Sequence, residues 1–307
     1  MEKPLISIVM CTYNGAAYVE EQIASLLTQT YRPLEIIISD DASDDDTPNI
    51  LRRYEANPII RIFYQDENIG LTKNFAFASE QAKGAYIAYA DQDDIWMENK
   101  IERLYQSIGN YMLVYSNSEL VDEKGQSLHK RLSDIRNMYT GDDSRGYILY
   151  SVVWGHGMLI NRSLLLQSLP IPDEIHHDIW LAFKALTLGG ILYLDEVLTQ
   201  YRQHMHSTSK TLPQKQPVRK RAQRYKDYEK QLRWITLMLQ HERPAYKPFY
   251  QQLVTLYSEK GKGHYVWSLV LFMLRYRNEL FRFSKKSYSS QLVEIIKQAR
   301  GEIPMSS

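Results

Sequence analysis

The chain of 307 residues has one cysteine, Cys11, which excludes an intramolecular disulfide and points to a reducing compartment. It has no apolar run near the roughly 18 residues that a membrane-crossing helix needs. Met1–Met10 carries one lysine, and its short apolar run is broken at Thr12. That is too short for the core of a secretory signal and reads better as a first strand. There is no internal repeat and no low-complexity tract. Nor is there a bulk excess of either charge, since the formal net charge is +1, and no nucleic-acid partner is expected.

Apolar residues make up 44% of the chain and charged ones 24%, enough for a sizeable core in one large domain or one domain with an appendage. The near-zero net charge conceals an asymmetry. Acidic residues dominate the first two-thirds, whereas from Lys215 to Arg300 basic residues exceed acidic ones by roughly a dozen, which suggests an anionic partner or a solvated basic face.

The most informative stretch is Ala85–Trp96, in which an apolar, β-prone run stops at Asp91-Gln92-Asp93-Asp94. In an extended segment the side chains of Asp91 and Asp93 leave on one side, so both can reach one hard cation, Mg2+ or Mn2+. Three carboxylates this close repel one another without a counter-charge. We therefore read Asp93 as a metal ligand, with Asp91 assisting through the ribose or a metal-bound water; the alternative is an acidic helix N-terminus. Open α/β sheets bind ligands just beyond the carboxyl ends of their strands, where this cluster falls.

Leu5–Cys11 is nearly all apolar, as in a strand buried on both faces. Strands are also expected at Leu34–Ser39, Ile59–Tyr64 and Ala85–Ala90, with helices over Ala16–Thr30, from Ser43–Pro48, and from Gly70 to Ala82. This alternation implies a mostly parallel, Rossmann-like sheet with right-handed crossovers. Further on, Asn99–Ile108 reads as a helix, Met112–Val121 as a strand and Asp122–Gly125 as a turn. Residues 133–145 lack a clear period and read as a loop. An amphipathic helix opens at Ile175-His176-His177-Asp178, and Ile191–Tyr201 is a long strand or a strand pair. Pro213–Pro217 reads as a linker, so the expected division is 1–212 and 213–307. Val218–Arg300 is helical by pattern, with a nearly apolar Tyr265–Leu274 followed by Arg275, Arg277, Arg282, Lys285 and Lys286. Such a helix either lies on an anionic membrane surface or packs on the catalytic domain.

Four phrases occur in order at domain-like spacing: Ser7-Ile8-Val9-Met10-Cys11-Thr12-Tyr13-Asn14, Tyr31–Ser43, Asn68-Ile69-Gly70, and Asp91-Gln92-Asp93-Asp94-Ile95-Trp96. With them the chain, over roughly residues 5 to 205, resembles the inverting GT-A glycosyltransferases of family 2. Asp-Gln-Asp-Asp-Ile-Trp together with Tyr201-Arg202-Gln203-His204 is most similar to the rhamnosyltransferase-like branch, which builds bacterial surface polysaccharides. The resemblance implies a GT-A fold with a C-terminal helical extension.

It also implies a nucleotide-diphosphate sugar donor, dTDP-rhamnose or a UDP-sugar. The donor site would be formed by Cys11, Tyr13, Asp41, Lys73, Asp91 and Gln92. In it Tyr13 covers the base and Asp41 accepts from the imide N–H, while Lys73 lies near ribose or phosphate. Asp40 would hold the loop, and an N-cap role is the alternative for Asp40-Asp41. Asp178 takes the place of the general base. The family often has Glu-Asp there, and this chain has His177-Asp178, so His177 would orient the acid or contact the acceptor; the alternative for Asp178 is a helix cap. Gly155-His156-Gly157, with Gly157 allowing close backbone approach, lines an acceptor pocket or forms a tight turn. Trp154 and Trp180 stack on sugar or belong to the core, and His204 contacts metal or diphosphate or is structural.

Gln231-Leu232-Arg233-Trp234 is one residue short of the processive synthases' Gln-x-x-Arg-Trp, and Lys260–Gly263 lacks phosphate-loop spacing. The expected activity is transfer of one sugar to a growing glycan, lipid-linked at the inner face of the plasma membrane, by a cytoplasmic peripheral enzyme. A non-catalytic nucleotide-sugar-binding partner of another transferase and an Asp-x-Asp phosphotransferase are the rivals. In the latter family Asp-x-Asp follows the first strand, and here it follows the fourth.

Overall fold

The computed structural model describes residues 2–204 and 221–303. The expected linker Pro213–Pro217 and the helix start at Val218 lie outside the described residues. The chain divides into two compact units. The first is Met1–Asp142 with Val152–Thr208, and the second is Asp143–Ser151 with Ser209–Ser307.

The first unit opens with β1 (Ile6–Thr12), α1 (Val19–Leu27), β2 (Leu34–Asp40), α2 (Thr47–Arg52), β3 (Ile60–Tyr64), α3 (Leu71–Glu80) and β4 (Tyr86–Ala90). Every residue of β1 and β2 is buried, as nearly continuous apolar runs imply for central strands covered on both faces; Ser7 and Glu35, polar side chains inside them, hydrogen-bond each other at 2.6 Å. Then come β5 (Ile95–Trp96), α4 (Lys100–Ser107), β6 (Leu113–Val121), β7 (Ser127–Arg131), α5 (Leu132–Ile135), β8 (Met158–Asn161), α6 (Arg162–Ser168), α7 (His177–Leu188) and β9 (Ile191–Arg202).

The sheet runs β3-β2-β1-β4-β8-β6-β9-β5, with β7 paired to β6. The β3-β2-β1-β4 half is parallel, and β8 joins it antiparallel to β4. Beyond β8, β6 and β9 run parallel with register shifts at Ser116–Ser118, and β5 pairs antiparallel with the end of β9. The core lies between β1, β2 and β4 and the apolar faces of α1 and α4 (Ile23, Leu26, Ile101 and Leu104).

Three local expectations change. Residues 133–145 are not an uninterrupted loop, since α5 and the tight turn Ser144–Ile148 occupy its ends. The turn at Asp122–Gly125 feeds a hairpin strand, β7, whose Ser-Leu-His-Lys-Arg sequence lacks a clear strand pattern. The helix opening at His177 is not amphipathic, because Trp180 through Thr187 are all buried; it is a core helix with no solvent face over two turns.

The second unit holds α8 (Arg221–His241), α9 (Lys247–Lys260), α10 (Trp267–Arg275), α11 (Arg277–Leu280) and α12 (Tyr288–Gln298). Into it packs the mid-chain segment Asp143–Ser151. Ser144 hydrogen-bonds the Tyr250 hydroxyl at 2.9 Å and donates to Glu242. Tyr147 meets Phe283 edge-on at 5.5 Å, and Gln231 donates to the Ile148 carbonyl at 2.7 Å. A Cβ on Gly146 would lie 2.6 Å from the Phe283 ring, so only glycine fits there.

Candidate active site

The carboxyl ends of β1, β2 and β4 lie side by side, because Met10 pairs with both Ile38 and Ala90. Their loops interlock. Asp40 accepts from the Thr12 hydroxyl at 2.6 Å and from the amide and hydroxyl of Ser43, so it holds the loop. Asp41, 3% exposed, accepts the amides of Ile69 and Gly70 at 2.8 and 3.0 Å. That ties the Asn68-Ile69-Gly70 turn to the end of β2. Gly70 has φ +87°, a conformation suited to glycine.

Gln92 pairs with the Tyr13 backbone like one rung of a ladder, accepting its N–H at 2.9 Å and donating to its carbonyl at 3.1 Å. A Cβ on Gly15 would strike the Gln92 side chain at 2.2 Å. The Tyr13 ring is left 47% exposed, available as a stacking face. Cys11 is buried, and burial, with the nearby Asp41 and Asp91 charges adding to it, pushes its thiol well up, so the thiol stays protonated. Lys73 forms an exposed ion pair with Asp173 at 3.3 Å, and such pairs contribute little.

The acid cluster is split between two sets of partners. Asp93 Oδ2 lies 2.7 Å from His204 Nε2, and the Asp93 carbonyl accepts from Arg202 Nε at 2.8 Å. Arg202, 2% exposed, also donates its backbone N–H to Asp94 Oδ1 at 3.0 Å and its guanidinium to Glu21 at 2.6 Å. The end of β9 thus clamps the acid loop. Asp91 and Asp94 face His156 instead, at 3.5 and 3.6 Å from its Nδ1, while His156 Nε2 meets Ser118 Oγ at 3.0 Å.

Beneath them Lys100, fully buried, donates to the His156 carbonyl and the Thr199 hydroxyl and sits 3.6 Å from the Trp96 ring. Burial drives the Lys100 ammonium well below its ordinary range, although Asp94 and Asp91 oppose this. Burial, reinforced by Asp93 and Asp91, raises the Asp94 carboxyl well above its ordinary range. Burial alone would raise Asp91 too, but the His156 hydrogen bond holds it below the usual carboxylate range.

Asp178 stands in the first turn of α7, where its Oδ2 accepts the Gly155 amide at 3.2 Å and its Oδ1 the Ile179 amide at 2.8 Å. His177 stacks on Phe75 at 3.9 Å and 26° and lies 5.1 Å from Tyr89. It is 4% exposed, and neither ring nitrogen has a hydrogen-bond partner. Burial pulls its pKa down from 6.5. A Cβ on Gly155 would approach the His177 ring to 3.0 Å. The turn Gly155-His156-Gly157 therefore links the two halves of the site: Gly155 holds Asp178 and His156 faces Asp91 and Asp94. Gly157 is buried below it, where an added Cβ would lie 3.4 Å from the Ser116 carbonyl. Trp180 is core, 2% exposed, with its indole N–H on the Ser168 carbonyl at 2.7 Å.

Two donor sets could receive a divalent cation. Ligand atoms of Asp91, Asp94 and His156 lie within 4.8 Å of one another, and Asp94 Oδ2 is buried without a hydrogen-bond partner. That set, however, is buried at Asp94 and His156, and the His156 carbonyl already accepts from Lys100. The second set is Asp93 with His204, side chains 17% and 11% exposed, with Asp91, at 37%, reaching solvent. Carboxylate oxygens with one imidazole suit Mn2+ well and Mg2+ through the oxygens. Lys100, Arg202 and the facing role of His156 were missed from the sequence, where a lysine in a helix's first turn and an arginine at a strand's end carry no distinguishing mark.

A sheet with this strand order and an acid cluster at the β4 end has the GT-A fold. Staphylococcus aureus TarS 1–349, solved in complex with UDP-GlcNAc, superposes with TM-score 0.61 at 18% identity over 96% of this chain and 81% of that one. The mannosyltransferase PcManGT of Pyrobaculum calidifontis, solved with GDP-Man and Mn2+, gives TM-score 0.55 at 19% identity over 82% of this chain and 70% of that one. The profile described as glycosyl transferase family 2 matches residues 7–168, and the chain belongs to that family. An uncharacterized glycosyltransferase of Rickettsia typhi is 34% identical over 68% of this chain and 67% of its own length. TuaG of Bacillus subtilis, named for teichuronic acid biosynthesis, is 39% identical over 65% of this chain and 79% of its own length.

Proposed function

We propose that this chain transfers a single sugar, with inversion, from a nucleotide-diphosphate sugar to a hydroxyl of a growing bacterial surface glycan, lipid-linked at the inner membrane face. The observation that carries the reading is the Gly155–Gly157 turn, which joins Asp178 to the acid cluster through one amide and one imidazole. An inverting transfer needs a base on one side of the anomeric carbon and charge compensation for the leaving group on the other. The acceptor oxygen attacks the anomeric carbon and its proton passes to the Asp178 carboxylate. The bond from that carbon to the diphosphate breaks, and the nucleoside diphosphate leaves with the electron pair.

Tyr13 and Asp41 are assigned to the base of the nucleotide, Cys11 and Gln92 to the walls of the donor site, and Asp91 to the ribose. Lys73 is assigned to the phosphates, which requires it to leave Asp173. Asp93, Asp91 and His204 would hold Mg2+ or Mn2+, which when bound neutralises charge on the departing diphosphate. His177, unpartnered and buried against Phe75, supports α7 beneath Asp178. The donor is dTDP-rhamnose or a UDP-sugar, and the neighbours' UDP-GlcNAc and GDP-Man support a nucleotide-sugar class. Transfer is assigned to residues 1–212 and membrane-side placement to 213–307.

The test separates binding from chemistry. Asn keeps an acceptor for the Gly155 amide, so Asp178→Asn should retain the thermal shift given by donor with Mn2+. It should lose roughly 10²–10⁴-fold in transfer rate, the usual contribution of a general base. Asp93→Asn should lose the metal-dependent part of the shift. Undiminished transfer by Asp178→Asn would overturn the base assignment. A wild-type chain that binds donor but transfers and hydrolyses nothing would support the binding-partner reading instead.

A further inference from the structure

The second unit exposes apolar side chains in a pattern its own helices do not use. On α10, Leu269, Val270, Phe272 and Met273 are buried, whereas Trp267, Leu271 and Leu274 are 70%, 69% and 39% exposed. Their spacing of four and three residues puts them on one stripe of the helix. On α12, Ile295 is buried and Val293 and Ile296 are 50% and 53% exposed. The two stripes are joined. Tyr265 lies 4.7 Å from the Trp267 ring, and its hydroxyl donates to the Ile296 carbonyl at 3.0 Å. The Val266 amide donates to the Ala299 carbonyl at 2.9 Å. At the start of α12, Tyr288 is 61% exposed, with the Arg277 guanidinium 4.8 Å from its ring. Contiguous apolar exposure of this kind marks an interaction surface.

We propose that this face is a docking surface for an anionic lipid bilayer. It rests on the membrane-side acceptor reading above only for its purpose, not for the contact itself. Two features select the bilayer. The exposed set combines a tryptophan and a tyrosine with aliphatic groups, which suits the depth between head groups and acyl chains. The exposed charged residues that accompany the stripes are basic: Arg275, Lys285, Lys286, Lys297 and Arg300, with exposed serines between them. Only Lys286 among them forms an ion pair among the described residues, with Glu294 at 3.2 Å. Such cations gain from a negative surface and lose that gain with salt. A two-fold pairing of this face with a second copy would set the same basic residues against each other, so self-association is disfavoured.

The experiment uses the full chain and vesicles containing no glycan lipid, of phosphatidylcholine alone or mixed with phosphatidylglycerol. The chain should sediment with the mixed vesicles and far less with phosphatidylcholine, and salt should release it. Leu271→Glu and Ile296→Glu, both at exposed positions, should keep the melting temperature and lower vesicle affinity roughly tenfold or more each. Donor hydrolysis in solution should be unchanged, so loss of this contact is distinguishable from loss of the transfer reading. Equal sedimentation of variants and wild type overturns the proposal. So does a dimer, measured by light scattering, that both variants disperse while vesicle binding is absent.

Discussion

His177 is held where a charge cannot be afforded: its ring lies flat on Phe75 with both nitrogens unpartnered. Burial lowers its pKa from 6.5. Above pH 6.5 the ring is neutral whether the chain is folded or not, and it contributes no pH dependence. Below 6.5 the unfolded chain takes up a proton that the folded chain resists, so stability falls as pH drops towards the depressed value. His177→Phe should keep the stack, relieve two unpartnered nitrogens and gain about 1 kcal/mol. The melting temperature of the variant should then fall less than that of wild type between pH 6.5 and 5. An unchanged slope would show that this ring is not what titrates. Asp94, Lys100 and His156 make the complementary case, in which a buried acid and a buried amine each offset the other's desolvation. Removing one partner leaves the other stranded.

Among the elements, α9 ends on a buried lysine. Lys260 is 5% exposed, and burial, partly offset by Glu302, lowers its pKa from 10.5 to about 8. Its ammonium lies 4.6 Å from the Tyr257 ring and 5.6 Å from that of Tyr228. The shift alone corresponds to about 3 kcal/mol of unfavourable burial at neutral pH. Two ring contacts return on the order of 0.5–1 kcal/mol each. Lys260→Met should therefore stabilise by about 1–2 kcal/mol at pH 7. The advantage should shrink as pH rises from 8 to 10, where the wild-type amine sheds its proton in the folded chain first. Calorimetry across that range checks both sign and window.

The same scale shows what the sequence makes legible. β1, β2 and β4 announce themselves because strands buried on both faces are nearly all apolar, and the acid cluster marks where β4 stops. The order β8-β6-β9-β5 does not, because antiparallel insertion leaves no periodic trace. Nor do the partners of the acids. Lys100 meets the His156 carbonyl across 56 residues, and Arg202 meets Asp94 across 108. Single polar residues in strand ends and helix starts look alike until the fold brings them together. α7 misleads for a related reason: His177, Asp178 and Lys184 suggest a wet face, yet the helix is enclosed.

At the scale of the whole molecule, the second unit is discontinuous in sequence. Gly146, Tyr147 and Ile148 are buried against partners such as Phe283, Gln231 and Trp234. A chain ending at Leu212 would therefore retain Asp143–Ser151 but lose the residues that bury it. We expect such a truncation to expose Tyr147 and Ile148 and to aggregate or bind a hydrophobic dye. Co-expression with 213–307 should suppress that. A truncated chain that stays monodisperse and dye-silent would show that the segment finds other cover.

Synthesis on the ribosome runs in one direction, and this discontinuity turns sequence distance into waiting time. Tyr147 emerges 136 residues before Phe283, which at common elongation rates is on the order of 10 s. For that interval a nascent chain carries an apolar segment with no finished core to receive it. A chaperone that shields such segments should bind between those two points of elongation and leave once Phe283 has cleared the exit tunnel.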